Sequence, residues 1–380
     1  MSCCAPRWRR RLRAAEGGAG AAADAVEQEA SEEAGAEEQD AQPEETGDAG
    51  ETAQVNEVTD VTGRQVEVPA NASHVVLLPG PAYEKTMILG VTDRVGGILK
   101  SCRTSWAELI HPEISDLVIF DSSTTPNVEE MMSLGAEFVI CHDYAELNAQ
   151  LDELQIPYVI TQCSGELPYS DLEGFLAFQK TEINAIAEAF GGDALERAAA
   201  WCDYFDEKVS YVRERTDDLT DEERPRVYYA RSDEGLVTFS QNSYPQYLVE
   251  MAGGNYVAKD TPEEMNSTLT IEQIMEWDPQ IIFMGRMNDT SIITDNEAWS
   301  GISAVKEGKV YLSPSGVFNW DYSGESVLLM LYLAKNIHPD LFEDLNMEDE
   351  IKYYYETFYG YELSDENVQN ILNHMDPAAQ

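Results

Sequence analysis

Residues 193–216 read DALERAAAWCDYFDEKVSYVRERT, and this stretch decides the architecture. Its apolar positions Leu195, Ala198, Cys202, Phe205, Val209 and Val212 recur at spacings of 3, 4, 3, 4 and 3, one stripe on an α-helix. No Gly or Pro interrupts it. Gly191-Gly192 precedes it, and the charge-rich turn Thr220-Asp-Glu-Glu-Arg-Pro225 closes it. At 1.5 Å per residue such a helix spans roughly 36 Å, enough to cross a whole domain.

Working outward, each flank alternates short apolar runs with helical segments. On the N-terminal side, strands are predicted at His74–Leu78, Arg94–Leu99, Val118–Phe120, Glu137–Cys141 and Pro157–Gln162. Helices are predicted at Tyr83–Leu89 (ended by Gly90), Glu129–Leu134 (opened by a capping box at Asn127), Tyr144–Leu154 and Asp171–Phe190. On the C-terminal side the predicted strands are Arg226–Ala230, Leu236–Phe239, Gln280–Met284 and Lys309–Leu312. The predicted helices there are Tyr244–Met251, a segment opened by the capping box Thr270-Ile-Glu-Gln273, Ala298–Val305, Glu325–Ile337, Asp349–Phe358 and Ser364–Met375. Strands separated by helices of about ten residues indicate βαβ units and mostly parallel sheets. The layout is an α/β half, a long helix and a second α/β half. The expected divisions are an acidic tether over 1–57, a lobe over 58–192, the linking helix over 193–218 and a lobe over 219–380.

Composition narrows the function. Lys plus Arg number 24 against 71 Asp plus Glu, a formal charge of −47. Nucleic acid and anionic lipid surfaces are excluded as main partners, because both require positive charge. From Glu16 to Glu57 there are 14 acids and no Lys or Arg. That stretch has too little apolar surface to offset the entropy of ordering, so a disordered tether is expected. No run of about 18 apolar residues exists to span a membrane. Arg9, Arg10, Arg11 and Arg13 stand where the apolar core of a secretory signal would lie, so none is legible as written. The alternatives are a cytoplasmic protein or a misassigned start that has lost its signal. Of six Cys, none forms a C-x-x-C pair; Cys141 and Cys202 read as buried small hydrophobes, and the sequence leaves open whether Cys102 and Cys163 pair.

Several blocks carry a resemblance. Val58-Thr-Asp-Val-Thr-Gly-Arg-Gln-Val-Glu-Val-Pro69, Leu89-Gly-Val-Thr-Asp-Arg-Val-Gly-Gly97 and Asn127-Val-Glu-Glu-Met-Met-Ser-Leu-Gly-Ala-Glu-Phe-Val-Ile140 resemble successive blocks of periplasmic binding proteins for iron–siderophore, haem and cobalamin uptake. So do Glu250-Met-Ala-Gly-Gly254, Glu272-Gln-Ile-Met-Glu-Trp-Asp-Pro-Gln-Ile-Ile282 and Ala304-Val-Lys-Glu-Gly-Lys-Val-Tyr311. The likeness covers about Val58 to Gln380. It implies two α/β lobes joined by a single long backbone helix, with the ligand between them. It also implies an extracytoplasmic, monomeric receptor serving an ABC importer permease, tethered to the membrane by a lipid anchor, with no intrinsic cofactor and no catalysis.

In open α/β sheets the ligand lies beyond the carboxyl ends of the strands. That rule nominates the loops Pro79–Tyr83, Ser101–Trp106, Thr124–Asn127, Cys141–Tyr144, Arg231-Ser232, Gly285-Arg286 and Ser315–Tyr322. Arg286, Arg231 and Arg103 are scarce cations in an acidic chain and could grip an anion bidentately, or else form surface salt bridges. Trp320, Tyr322, Tyr83 and Trp106 offer aromatic faces to a flat ligand, or else pack on their own lobe. His142 is the one His at a predicted strand end and is a candidate ligand to iron, with Tyr144 beside it. The family's docking uses an acid on each lobe. The resemblance places Glu84 in the first; in the second, Tyr247 occupies the usual acid position and Glu250 lies nearby.

The expected function is capture of an iron complex, siderophore or haem, with a corrinoid or an oxyanion as the alternative ligand. A metal-cluster redox enzyme of related two-lobed fold is the competitor from another class. No nucleophile–base pair or phosphate loop supports catalysis, and five His do not supply the converging ligands of a bare Zn²⁺ or Mn²⁺ site.

Overall fold

The computed structural model describes residues 54–163, 169–232, 234–261 and 267–378. Val55–Thr59 (β1) and Gln65–Pro69 (β2) form an antiparallel hairpin, with Val58 opposite Val66. The strand begins inside the stretch expected to be tether, because Asn56 is anchored: its Nδ2 donates to the Ala189 carbonyl at 3.0 Å. The rest of the expected tether lies outside the described residues.

The first lobe is built on β3 (Val75–Leu77), β4 (Val95–Leu99), β5 (Val118–Phe120), β6 (Phe138–His142) and β7 (Tyr158–Gln162). They pair in the order β5-β4-β3-β6-β7, every pairing parallel. α1 (Ala82–Leu89), α2 (Ser105–Ile110), α3 (Val128–Leu134) and α4 (Ala145–Glu153) connect them in turn, and α5 (Leu172–Phe190) follows. β3, fully buried, is aliphatic throughout, as a parallel strand covered on both faces must be.

After α6 (Asp193–Thr216) come β8 (Arg226–Ala230), β9 (Val237–Thr238), α7 (Tyr244–Met251), β10 (Asn255–Tyr256), β11 (Ser267–Thr268), α8 (Ile271–Trp277), β12 (Ile281–Met284), α9 (Ser291–Thr294), α10 (Ser303–Lys306) and β13 (Val310–Leu312). The second parallel sheet has the order β10-β8-β12-β13, while β9 and β11 pair with each other antiparallel. α11 (Ser326–Ile337), α12 (Met347–Tyr354) and α13 (Asp365–Leu372) end the chain, and α12 runs on as one π-helical turn, Tyr355–Tyr359.

α6 is one unbroken helix of 24 residues, as its periodicity predicts. It packs on α1 and α5 of the first lobe and on α7 and α11 of the second. Trp201, Phe205, Val209 and Val212 are buried along it, each contributing about 1.5–3 kcal/mol relative to exposure. The buried face is broader than the predicted stripe and rotated from it. Trp201 and Tyr204 are inside, whereas Leu195 is 47% exposed and Cys202 half-buried.

The chain after α11 packs on the second lobe, where Tyr355 Oη donates to Glu325 Oε1 at 2.7 Å, and also reaches the first. Tyr359 Oη donates to Glu84 Oε1 at 2.6 Å, and Trp106 Nε1 donates to the Met375 carbonyl at 3.1 Å. The helix predicted at Ala298–Val305 is also replaced, by a 3₁₀ turn at Glu297–Trp299 and by α10. Asp278 is the physical reason. Its carboxylate accepts from both the backbone N–H and the hydroxyl of Ser303 at 2.8 Å, which starts a new helix there. Cys102 and Cys163 are free thiols.

Candidate functional site

Both sheets reverse direction at one point, and both points can be read from the strand order. In the first sheet the chain moves from β3 outward to β4 and β5, then returns to the other side of β3 with β6. In the second it moves from β8 to β10 and returns with β12. The crevices therefore open at the carboxyl ends of β3 and β6 in one lobe, and of β8 and β12 in the other.

At the second crevice stand Arg231, just past β8, and Arg286, two residues past β12. Gly285 precedes Arg286 because a Cβ there would run into the Tyr229 ring. Arg286 itself is held at φ +56, in the left-handed region. Its Nε donates to Asp321 Oδ1 and Oδ2 at 3.0 and 3.1 Å, and its Nη2 donates to Tyr244 Oη at 3.3 Å. Asp321 is buried and also accepts from Tyr244 Oη at 3.2 Å and Tyr229 Oη at 3.5 Å. Burial works against the Arg286 charge, but Tyr244 and Asp321 outweigh it, so the guanidinium stays protonated. Burial raises the Tyr229 and Tyr244 hydroxyls well above the usual tyrosine range, and Asp321 adds to it. The charges of both Arg286 and Arg231 oppose that rise, and the Phe239 ring stands 4.6 Å from the Tyr244 ring. The Arg231 guanidinium lies over the Phe239 ring at 4.3 Å.

At the first crevice, His142 ends β6 and its ring stacks on Tyr144 at 5.3 Å between centroids. Burial lowers His142 to about 4, so its imidazole is neutral at physiological pH. Its Nδ1 is buried with no hydrogen-bond partner.

The lobes meet between these crevices. Tyr322 Oη donates to Gln162 Oε1 at 2.9 Å, and the Tyr322 ring lies 5.6 Å from the Arg286 guanidinium. Thr104 Oγ1 donates to the Val317 carbonyl at 2.7 Å. Gly80 permits the approach of Phe318, whose Cζ would stand 2.8 Å from a Cβ at that position.

Arg286, Arg231 and Tyr322 are thus brought together, with His142 and Tyr144 at the opposite crevice. Other predicted residues go elsewhere. Glu84 is 2% exposed and accepts from Gly324 N at 3.0 Å as well as from Tyr359, so it is a buried interlobe acceptor and not a displayed docking acid. Tyr83 is buried in the core beside it. Trp106 is buried against the C-terminal segment through its bond to Met375. Trp320 is fully buried with its indole N–H unpartnered, and it belongs to the packed core. Arg103 forms a surface pair with Glu108 at 2.5 Å. Glu250 is half-buried and accepts from Gln246 Nε2 at 3.1 Å. The residues that sequence reasoning missed are Tyr229, Tyr244, Asp321 and Gln162. Only Asp321 left a signal, as the acid inside the nominated loop Ser315–Tyr322.

A depression of about 530 Å³ lies at the first turn of α6, lined by Arg94, Phe190, Gly192 and Arg197 among others. It is a poor alternative site. Arg94 already donates to the Ala70, Ala72 and Phe190 carbonyls, and Arg197 to those of Ile88 and Phe358.

Comparison with known proteins bears on this geometry. The model of the periplasmic binding protein family matches residues 80–316. The molybdate-binding protein MolA of Haemophilus influenzae is 25% identical over 334 residues, covering 82% of this chain and 93% of that protein. A crystal structure of a periplasmic solute binding protein from Veillonella parvula superposes with a TM-score of 0.71 at 29% identity, covering 84% of this chain and 97% of that one. The molybdate-bound MolA structure gives 0.72 at 23% identity, covering 81% and 99%, a likeness of fold.

Proposed function

From the premise that the chain belongs to the periplasmic binding protein family, we propose that it captures a small oxyanion of the molybdate class between its lobes and passes it to the permease of an ABC importer. As a member of that family it is a solute-binding protein that works outside the cytoplasm.

The observation that carries the ligand reading is the Arg286 cluster with Arg231 beside it. A tetrahedral dianion needs several N–H and O–H donors and tolerates few acceptors. The two guanidiniums supply N–H donors of this kind, and Asp321, which takes up the hydroxyl protons of Tyr244 and Tyr229, holds Arg286 in one orientation. In a chain of charge −47 an anion is repelled at long range, so its capture depends on local positive charge of this kind. The Tyr322–Gln162 bond keeps the lobes at hydrogen-bond distance next to the cluster, which favours a small solute over a macrocycle. The similarity to a molybdate-binding protein supports the same reading.

The iron complex expected from the sequence stands as the second reading. The unpartnered, neutral His142 and its stacked Tyr144 favour it, since a neutral imidazole is a good iron ligand. Of the two docking acids expected from the resemblance, we keep Glu250 as the proposed permease contact, because Glu84 is buried.

Elemental analysis of the protein purified from its native host distinguishes these. About one molybdenum or tungsten per chain is the expected result. Stoichiometric iron supports the second reading, stoichiometric cobalt supports a corrinoid, and either one overturns the oxyanion.

A further inference from the structure

Three buried residues of the first lobe end in one hydrogen bond across the seam. Lys85 on α1 and Glu182 on α5 form an ion pair at 3.0 Å, with each side chain 4% exposed. The same Glu182 Oε1 accepts from Gln162 Nε2 at 2.5 Å. Gln162, also buried, is the last residue of β7. A carboxamide has one donor end and one acceptor end. With the donor end committed to Glu182, the acceptor end faces the other lobe, and there it receives Tyr322 Oη at 2.9 Å.

A buried ion pair adds little net stability, because desolvation offsets the attraction. Here it fixes a direction. We infer that Lys85 and Glu182 are positioning residues: they lock the Gln162 amide so that the first lobe presents an acceptor at the seam, and the Tyr322–Gln162 bond this creates latches the lobes beside the Arg286 cluster. A flipped amide would turn its N–H₂ toward the Tyr322 hydroxyl and leave its carbonyl oxygen against the Glu182 carboxylate, two acceptors in contact. The latch has a consequence for specificity. Gln162 Oε1 repels a fully deprotonated oxyanion, so such a solute is directed to the Arg286 side while the latch stays formed.

The inference rests on the two-lobed receptor reading but not on which solute binds. The test is hydrogen–deuterium exchange on the full chain without added solute. Tyr322→Phe removes the donor. Lys85→Met with Glu182→Leu replaces the pair by apolar groups, an exchange that buried pairs commonly tolerate. Each is expected to speed exchange about threefold or more in peptides covering residues 138–163 and 315–325, with β8 unchanged. Combining them should add nothing further. Unchanged seam exchange in the apolar-pair variant, or additive effects, overturns the inference. Should that variant lose protection throughout the chain, Gln162→Met decides, since it removes both amide ends and leaves the ion pair. Seam exchange equal to that of Tyr322→Phe supports the latch, and exchange at the unmodified rate overturns it. Failure here leaves the oxyanion reading standing, and absence of oxyanion binding leaves the latch standing.

Discussion

Arg286 occupies a left-handed backbone position that costs a non-glycine residue about 1–2 kcal/mol. The contacts with Asp321 and Tyr244 hold it there. Asp321→Asn removes the carboxylate and frees the guanidinium to rotate, so anion affinity is expected to fall about tenfold, measured by calorimetry with melting as the control. A second residue-scale expectation concerns pH. Glu325 accepts from Tyr355 Oη at 2.7 Å and from Phe318 N at 3.1 Å, yet burial and then the facing Glu84 push its carboxyl up to about 8. The folded state therefore holds a proton that the unfolded state has lost. That contribution to stability is fully present below the ordinary carboxylate range and is lost as pH rises toward 8. Glu325→Gln should flatten this part of the profile and raise stability at pH 8 by on the order of a few kcal/mol, and an unchanged slope would show that Glu325 is ionised throughout. Arg286 was legible in the sequence because Arg is scarce here and follows a strand. Tyr244 and Gln162 were not, because they reach the site from an unrelated helix and from the far edge strand. Glu84 misled because a helix of mixed composition does not show which face is covered, and all of α1 is buried.

Among elements, the bounds of α6 were legible to the residue, since no Gly or Pro breaks its 24 positions, although its buried face was not. Short elements were not. β9 has two residues and pairs antiparallel with a strand the sequence did not signal. The helix expected at Ala298–Val305 is broken by a cap, Asp278, that lies far away in the chain. α6 also supports an expectation of its own. Ala199 is exposed on it, so Ala199→Pro acts through the backbone alone. Stability should fall by at least about 3 kcal/mol, whereas Ala199→Ser should cost about 0.5 kcal/mol. Equal melting of the two variants would mean that the helix does not need to be continuous.

For the whole molecule, a charge of −47 makes self-repulsion a global term. Salt screens surface charges beyond about 10 Å at 0.1 M and reaches buried pairs such as Lys85–Glu182 far less. The melting temperature should therefore rise as NaCl increases from about 0.02 to 0.5 M. A fall would mean that surface ion pairs outweigh the repulsion. The lobes are linked by more than α6, because the C-terminal segment also ties Glu84 and Trp106 of the first lobe. The most direct measurement is calorimetric titration of molybdate into the unmodified chain and into Arg286→Ala. Saturation at about one molybdate per chain, weakened about tenfold or more in the variant, is the expected result. Equal affinity in both proteins, or no heat with molybdate in either, would contradict an anion held between the lobes by Arg286.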